Sequence, residues 1–215
     1  MHRQDIAREL LARRISAIIR ADDASVAREA MRAAVRGGFR VVEFTLTTPD
    51  ALALIAEFRQ SPELLVGAGT VLTPEQACAA AAAGAQFLVS PVFDPAIVQL
   101  AGELRVPCLP GTATPTEMIA AHHVGADFVK LFPAPHDIPA YVRQVLAPLP
   151  FLRIFPTAGV TPENFLSILG AGAVGVGFVS SLFRADELTS RDYAAIERRA
   201  RGITAAADDA SERLE

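Results

Sequence analysis

Leu64-Leu65-Val66-Gly67-Ala68-Gly69-Thr70, then Thr73-Pro74-Glu75, then an alanine-rich stretch ending at Gly84-Ala85, then Phe87-Leu88-Val89-Ser90-Pro91-Val92, spell out a strand, a helix and a second strand. The two flanking runs are apolar without polar alternation, the pattern of strands covered on both faces. Between them Thr73 supplies a hydroxyl N-cap, Pro74 fits the first helical position, Glu75 complements the helix dipole and Gly84 ends the helix. A strand returning through a helix pairs in parallel with its predecessor.

The same punctuation recurs along the chain. Thr48-Pro49-Asp50, Thr114-Pro115-Thr116 and Thr161-Pro162-Glu163 read as further helix starts, and Gly125-Ala126 and Gly172-Ala173 as further helix ends. Eight apolar runs alternate with the helical segments: Ile15 to Ala21, Arg40 to Leu46, Leu64 to Thr70, Phe87 to Val92, Val106 to Gly111, Phe128 to Pro133, Arg153 to Gly159 and Gly175 to Ser181. Eight such units imply an α/β fold, a (β/α)8 TIM barrel, with an extra N-terminal helix over Asp5 to Arg13 covering its bottom. Residues 1–215 are expected to form a single barrel domain. An open doubly wound sheet is the second choice, but no GxGxxG string follows the first strand.

Composition narrows the function. The chain is 51% hydrophobic and 20% charged with a net charge of −4, and it has no basic block, which argues against nucleic acid or an anionic membrane as partner. The first fourteen residues carry charges throughout and lack the apolar core of a signal peptide, and no run is long enough to span a bilayer, so a cytoplasmic location is expected. Cys78 and Cys108 have neither metal-ligand spacing nor a secretory context and are expected in the core. His122 and His123 point to different faces of a helix and lack a carboxylate at ligand spacing, so neither a metal nor another cofactor is expected. No Ser-His-Asp or Cys-His arrangement stands out.

One residue does. Of 20 Lys plus Arg, 19 are arginine, and the single lysine, Lys130, lies inside Asp127-Phe128-Val129-Lys130-Leu131-Phe132-Pro133. Arginine stays protonated, whereas a lysine packed among apolar side chains loses its proton more readily and attacks carbonyl carbon. Schiff-base chemistry follows; the alternative is a snorkelling lysine or an ion pair with Asp127 or Glu43. Barrel sites form at the C-terminal strand ends, where the other candidates lie. Glu43, in Val41-Val42-Glu43-Phe44-Thr45, is an acid among apolar residues, able to relay protons near neutral pH or to pair with an arginine. Arg20 ends the first strand, where its fork could take a carboxylate, and Thr70 offers a hydroxyl after Gly67-Ala68-Gly69.

From about Ile15 to Phe183, these motifs occur in an order that resembles the 2-keto-3-deoxy-6-phosphogluconate (KDPG) and 4-hydroxy-2-oxoglutarate (KHG) aldolases, which are lysine-dependent (β/α)8 barrels usually assembled as trimers. The matching strings are Val42-Glu43-Phe44-Thr45, Gly67-Ala68-Gly69-Thr70-Val71, Ser90-Pro91, Pro110-Gly111, Lys130-Leu131-Phe132-Pro133 and Phe155-Pro156-Thr157. The resemblance implies that Lys130 forms a Schiff base with a small 2-oxo acid, that Glu43 relays protons through a water, and that Thr70 with Arg20 holds the keto-acid carboxylate. Some members carry that arginine after the second strand, where this chain has Thr47. By the same resemblance Pro91, Phe132 and Thr157 line the substrate pocket, and Ala158, Gly159 and Ser180 lie where a substrate phosphate is held. The expected reaction cleaves a 4-hydroxy-2-oxo acid to pyruvate and an aldehyde, in a homotrimer.

Two departures bear on the substrate. The family's Pro-Thr-Gly-Gly is Pro156-Thr157-Ala158-Gly159 here, and a Gly-Ser pair is replaced by Val179-Ser180. Alanine resists positive φ and valine resists it more, so a remodelled phosphate pocket is expected, with KHG or an unphosphorylated 2-keto-3-deoxy sugar acid as alternative substrates. A non-catalytic sugar-acid-binding barrel and a phosphate-binding barrel of the epimerase or thiamine-phosphate synthase type are the rival readings.

Overall fold

Each apolar run becomes a parallel strand in the computed structural model, which describes residues 2–212. The strands are β1 (Ile15–Ile19), β2 (Val41–Thr45), β3 (Leu65–Gly69), β4 (Phe87–Val89), β5 (Cys108–Leu109), β6 (Gly111–Thr112), β7 (Val129–Leu131), β8 (Ile154–Pro156) and β9 (Val176–Phe178). Six pair in the order β5-β4-β3-β2-β1-β9 and three as β6-β7-β8. β5 and β6 are the expected fifth strand, divided at Pro110, which has no N–H to give to a neighbour. The other seam is closed where Val174 N–H donates to the Ile154 carbonyl at 3.0 Å. The curled sheet is thus the expected eight-unit barrel wall, with helices outside it.

Period-two alternation divides the strand side chains between two cores. Val42, Phe44, Val66, Ala68 and Leu88 face outward under the helices, whereas Val41, Leu65, Phe87, Leu109, Phe128 and Phe155 fill the lower barrel. Against this inner layer packs α1 (Arg3–Arg13), whose Ile6, Ala7 and Leu10 are buried in it. The extra N-terminal helix therefore plugs the bottom. Arg3 locks it there: Nη2 donates to Asp127 Oδ2 at 2.7 Å and to the Gly125 carbonyl at 2.7 Å, while Asp127 Oδ2 also accepts the Cys108 N–H at 3.1 Å.

Helix starts follow the expected chemistry at two of the four Thr-Pro sites. Thr73 accepts the Gln76 N–H at the head of α4 (Pro74–Ala82), and Thr114 forms a reciprocal capping box with Glu117 at the head of α6 (Pro115–His123). At the other two, the helix begins later, at Ala51 and at Phe165. Thr48 is drawn instead to the Ala21 N–H and to Thr45, and Thr161 makes a short turn with the Glu163 N–H. Gly84, Gly125 and Gly172 have φ of 100°, 93° and 105°, so all three expected helix ends use the left-handed conformation. Cys78 is a correction. It is exposed, because the buried face of α4 is set by Ala77 and Ala80; Cys108 is buried as expected, and burial pushes its thiol up to about 12. The chain also forms α10 (Tyr193–Glu212), which packs along α2 (Ala24–Arg36) and closes the outer wall.

Asp127 and Arg3 each serve two partners, but only Asp127 satisfies a buried main-chain N–H, which separates their weights. Asp127→Ala should cost about 2–4 kcal/mol, since it takes the carboxylate from the guanidinium and leaves the Cys108 N–H unpaired, and Arg3→Ala about 1 kcal/mol. Urea midpoints at unchanged slope measure both; equal losses would refute the dual role of Asp127.

Candidate active site

Inward positions above the lower core belong to small residues, and the space they leave holds the ionisable groups. Gly67 faces the Phe87 ring and Gly69 faces Glu43: a Cβ on Gly69 would lie 1.9 Å from Glu43 Oε1. Gly177 likewise leaves room for Ile18 and Thr157. Into this space project Glu43 from β2 and Lys130 from β7. Together with Arg20, Thr70, Phe132 and Thr157 they line a cavity of about 250 Å³ at the C-terminal strand ends. Ala158, Gly159 and Ser180 complete its rim, so nine of the ten expected site residues share one cavity, nine being the six just named plus these three. Pro91 lies outside it, with its carbonyl carbon 2.2 Å from where a Cβ on Gly111 would sit, an approach only glycine allows.

Both ionisable groups are enclosed. Glu43 is 2% exposed and Lys130 8%, which excludes a snorkelling amine. Asp127 is occupied by Arg3, and among the described residues no ion pair joins Glu43 or Lys130 to any partner. Glu43 Oε1 is buried without a hydrogen-bond partner. Burial raises the Glu43 carboxyl, opposed by the nearby positive charges of Lys130 and Arg20. Burial lowers the Lys130 amine; Glu43 opposes this and Arg20 adds to it. Each group is pushed toward its neutral form, which for the lysine is the nucleophile. Phe132 places its ring centroid 5.3 Å from Lys130 Nζ, flanking the amine with an apolar wall.

Polar groups surround this pair. Arg20 Nη2 donates to Thr70 Oγ1 at 3.3 Å, joining the exits of β1 and β3. Thr70 has φ of 57°, an uncommon conformation for a β-branched residue, and this holds its hydroxyl at the mouth. At the opposite rim only Gly159 takes positive φ, at 69°; Ala158 and Val179 do not. The expected remodelling therefore does not arise from backbone strain. The main-chain N–H groups of Ala158, Gly159, Ser180 and Ser181 have no protein acceptor among the described residues, and these four residues line one cavity rim. Unpaired main-chain N–H groups of this kind can bind an anion. Sequence reading passed over Thr45 and Ser181; the signal for Thr45 was its place two residues after Glu43, on the same strand face.

A larger cavity of about 510 Å³ opens at the other end of the barrel, between α1 and α10. Two of its arginines serve the fold: Arg13 Nη1 donates to the carbonyls of Arg40 and Glu63, and Arg40 Nη1 to those of Val35 and Phe39; the strand-end groups are absent from it. Among the described residues no cluster of three His, Cys, Asp or Glu is placed to hold a metal ion, and no helix is long and apolar enough to cross a membrane.

The family model of KDPG and KHG aldolases matches residues 6–199. The chain belongs to this family. It is 37% identical over 172 residues to the KHG/KDPG aldolase of Escherichia coli K12, covering 79% of this chain and 81% of that one. The KDPG aldolase of Legionella pneumophila, solved with pyruvate captured as a covalent carbinolamine intermediate, superposes with a TM-score of 0.81 at 25% identity, over 92% of this chain and 97% of that one. A cube-shaped cage designed by fusing symmetric oligomeric domains gives 0.83 at 32% identity, over 93% and 74%. The chain is accordingly an aldehyde-lyase of the Schiff-base, class I kind.

A lone lysine makes the electrostatics directly measurable. With lysine carbon labelled, the single side-chain signal should titrate with a midpoint below 10.5, and Glu43→Gln should move it lower still, because Glu43 is the group that opposes the shift. A midpoint that rises in the variant would exclude charge coupling between the two.

Proposed function

We propose that this chain cleaves a 4-hydroxy-2-oxo acid to pyruvate and an aldehyde, with Lys130 as nucleophile and Glu43 as proton relay. The observation that carries this reading is a buried amine with a lowered pKa and, among the described residues, no hydrogen bond or ion pair, sharing a cavity of about 250 Å³ with a buried carboxyl whose pKa is raised. The unprotonated Lys130 amine adds to the C2 carbonyl; the carbinolamine loses water and leaves an iminium. The C4 hydroxyl then gives its proton to Glu43, directly or through water. The C3–C4 bond breaks, its electron pair flows into the iminium, and the aldehyde departs. Protonation of the enamine at C3 and addition of water to the resulting iminium release pyruvate and restore the amine. Arg20 and Thr70 hold the carboxylate beside the C2 carbon, and Phe132 and Thr157 bound the rest of the substrate.

The substrate we assign is KDPG, the aldehyde being glyceraldehyde 3-phosphate, in preference to KHG, which would give glyoxylate. Support comes from the N–H groups of Ala158, Gly159, Ser180 and Ser181, which have no protein acceptor among the described residues, suit a terminal phosphate and would stand idle with the shorter acid. The unit of function is one barrel domain in a cytoplasmic homotrimer. Free cysteines fit a reducing compartment. Exposed Leu72 and Val92, beside the exits of β3 and β4, offer apolar surface for assembly, and the similar cage protein was built from symmetric oligomeric domains.

Borohydride with pyruvate should add mass to the peptide holding Lys130 and to no other; intact folded protein giving no adduct would overturn the reading. Glu43→Gln should lower turnover by about 10²–10⁴-fold and leave the adduct yield largely unchanged. In a panel of keto acids, the phosphorylated sugar acid should be cleaved at least about tenfold better than its unphosphorylated analogue. Equal rates would remove the phosphate from the assignment and leave the Schiff base intact.

A further inference from the structure

Thr45 has no role in the chemistry above, yet it lines the same cavity, is 3% exposed and stands two residues beyond Glu43 on the inward face of β2. Its level in the barrel is informative. Ile19 pairs with Phe44, and Thr45 pairs with Gly69, so Arg20, the next residue of its strand, comes level with Thr45 at the mouth, and Thr70 follows one step further along β3. The Arg20 to Thr70 hydrogen bond crosses this level from β1 to β3, over the strand that carries Thr45.

The hydroxyl of Thr45 also belongs to a chain of hydrogen bonds that starts at a main-chain donor. Thr48 Oγ1 accepts the Ala21 N–H at 3.3 Å, and a main-chain N–H can only donate. The buried Thr48 hydroxyl then has Thr45 Oγ1, at 3.2 Å, as its other hydrogen-bond partner among the described residues, and donating to Thr45 is the arrangement that leaves no Thr48 proton unused. Thr45 accepts it, and its own proton points onward, either to Thr47 Oγ1 at 3.1 Å or to an acceptor in the cavity. Thr47 is exposed and can exchange that bond for water. A substrate carboxylate presents an acceptor only, so it fits a hydroxyl that accepts from Thr48 and has its own proton to give.

We propose that Thr45 donates its hydroxyl proton to the carboxylate of the 2-oxo acid between Arg20 and Thr70, and that Thr48 is a positioning residue that sets the direction of that donor. The inference rests on the aldolase reading and names what selects an acid over a neutral ketone. It also accounts for Thr48 leaving its expected place as a helix cap: the hydroxyl that would have capped α3 (Ala51–Phe58) orients Thr45 instead.

The test compares Thr45→Val, Thr45→Ser and Thr48→Val, each first shown to be folded by circular dichroism. Half-saturation is read from borohydride trapping on Lys130 with pyruvate and with the neutral ketone hydroxyacetone, and KM and kcat from cleavage of the keto acid. Thr45→Val should raise half-saturation for pyruvate and KM by about 10–100-fold, as expected for loss of a hydrogen bond to a charged group, with kcat changed less than about threefold and hydroxyacetone unaffected. Thr45→Ser should restore wild-type values to within about threefold, and Thr48→Val should fall between. If Thr45→Val fails to fold, Thr48→Val against Thr45→Ser decides on the same readouts. An equal effect on both ketones, or a fall in kcat at constant KM, overturns the role of Thr45. Absence of any wild-type adduct defeats the aldolase reading itself.

Discussion

Two ionisable groups sealed inside one barrel constrain everything around them. Glu43 and Lys130 lose their hydration, and among the described residues neither regains it through a close ion pair. Their mutual attraction acts at longer range and only partly offsets that loss. Such a pair persists only where the scaffold leaves it no escape to water. Gly67, Gly69 and Gly177 make the room, the phenylalanines below fill the barrel, and α1 with its Arg3 to Asp127 clamp seals the end through which solvent would otherwise enter.

The same burial makes the site a drain on stability, with a sign that can be followed for each group. Glu43 holds its proton to higher pH in the folded chain than in the unfolded one, so its burden grows as pH rises from the ordinary carboxylate range through the raised folded value. Lys130 gives its proton up earlier in the folded chain, so its burden is full below the lowered folded value and eases as pH climbs toward 10.5. Both burdens overlap in the intermediate range, where a carboxylate able to accept a proton and an amine able to lose one are most useful. The helices and the outer core offset that burden. The site therefore depends on packing remote from it, which is why a clamp at the bottom of the barrel matters to chemistry at the top.

Much of this was legible in the sequence because its signals were redundant. Eight apolar runs, each separated from the next by a helix, leave few topologies open, and a single lysine among apolar residues has few plausible uses. Glu43 was legible for the same reason: a buried acid is expensive, so its presence needs a purpose. Local signals held no such redundancy. The Thr-Pro pairs at 73 and 114 cap helices, but Thr48 and Thr161 found nearer donors in Ala21 and Glu163, partners that only the tertiary and turn geometry creates. A strand threonine such as Thr45 is equally at home as a good β-former, so its place on the Glu43 face was too weak a signal to single out its hydroxyl.

The rim at Ala158 and Val179 shows where sequence reading is least secure, and why. A tight turn needs positive φ at particular positions, and a string such as Thr157-Ala158-Gly159 does not reveal which residue takes it. The burden falls on Gly159 alone, leaving Ala158 and Val179 without positive φ, beside neighbours whose N–H groups have no protein acceptor among the described residues. What the two side chains change is the lining, not the backbone: a methyl group and a β-branched side chain stand where glycine would leave space for water. An anion held there keeps its main-chain donors but loses part of its solvation, which favours a phosphate whose charge is met by several N–H groups at once over a small polar group content with water. The departures that pointed to a remodelled phosphate pocket thus tighten the requirements on what occupies it.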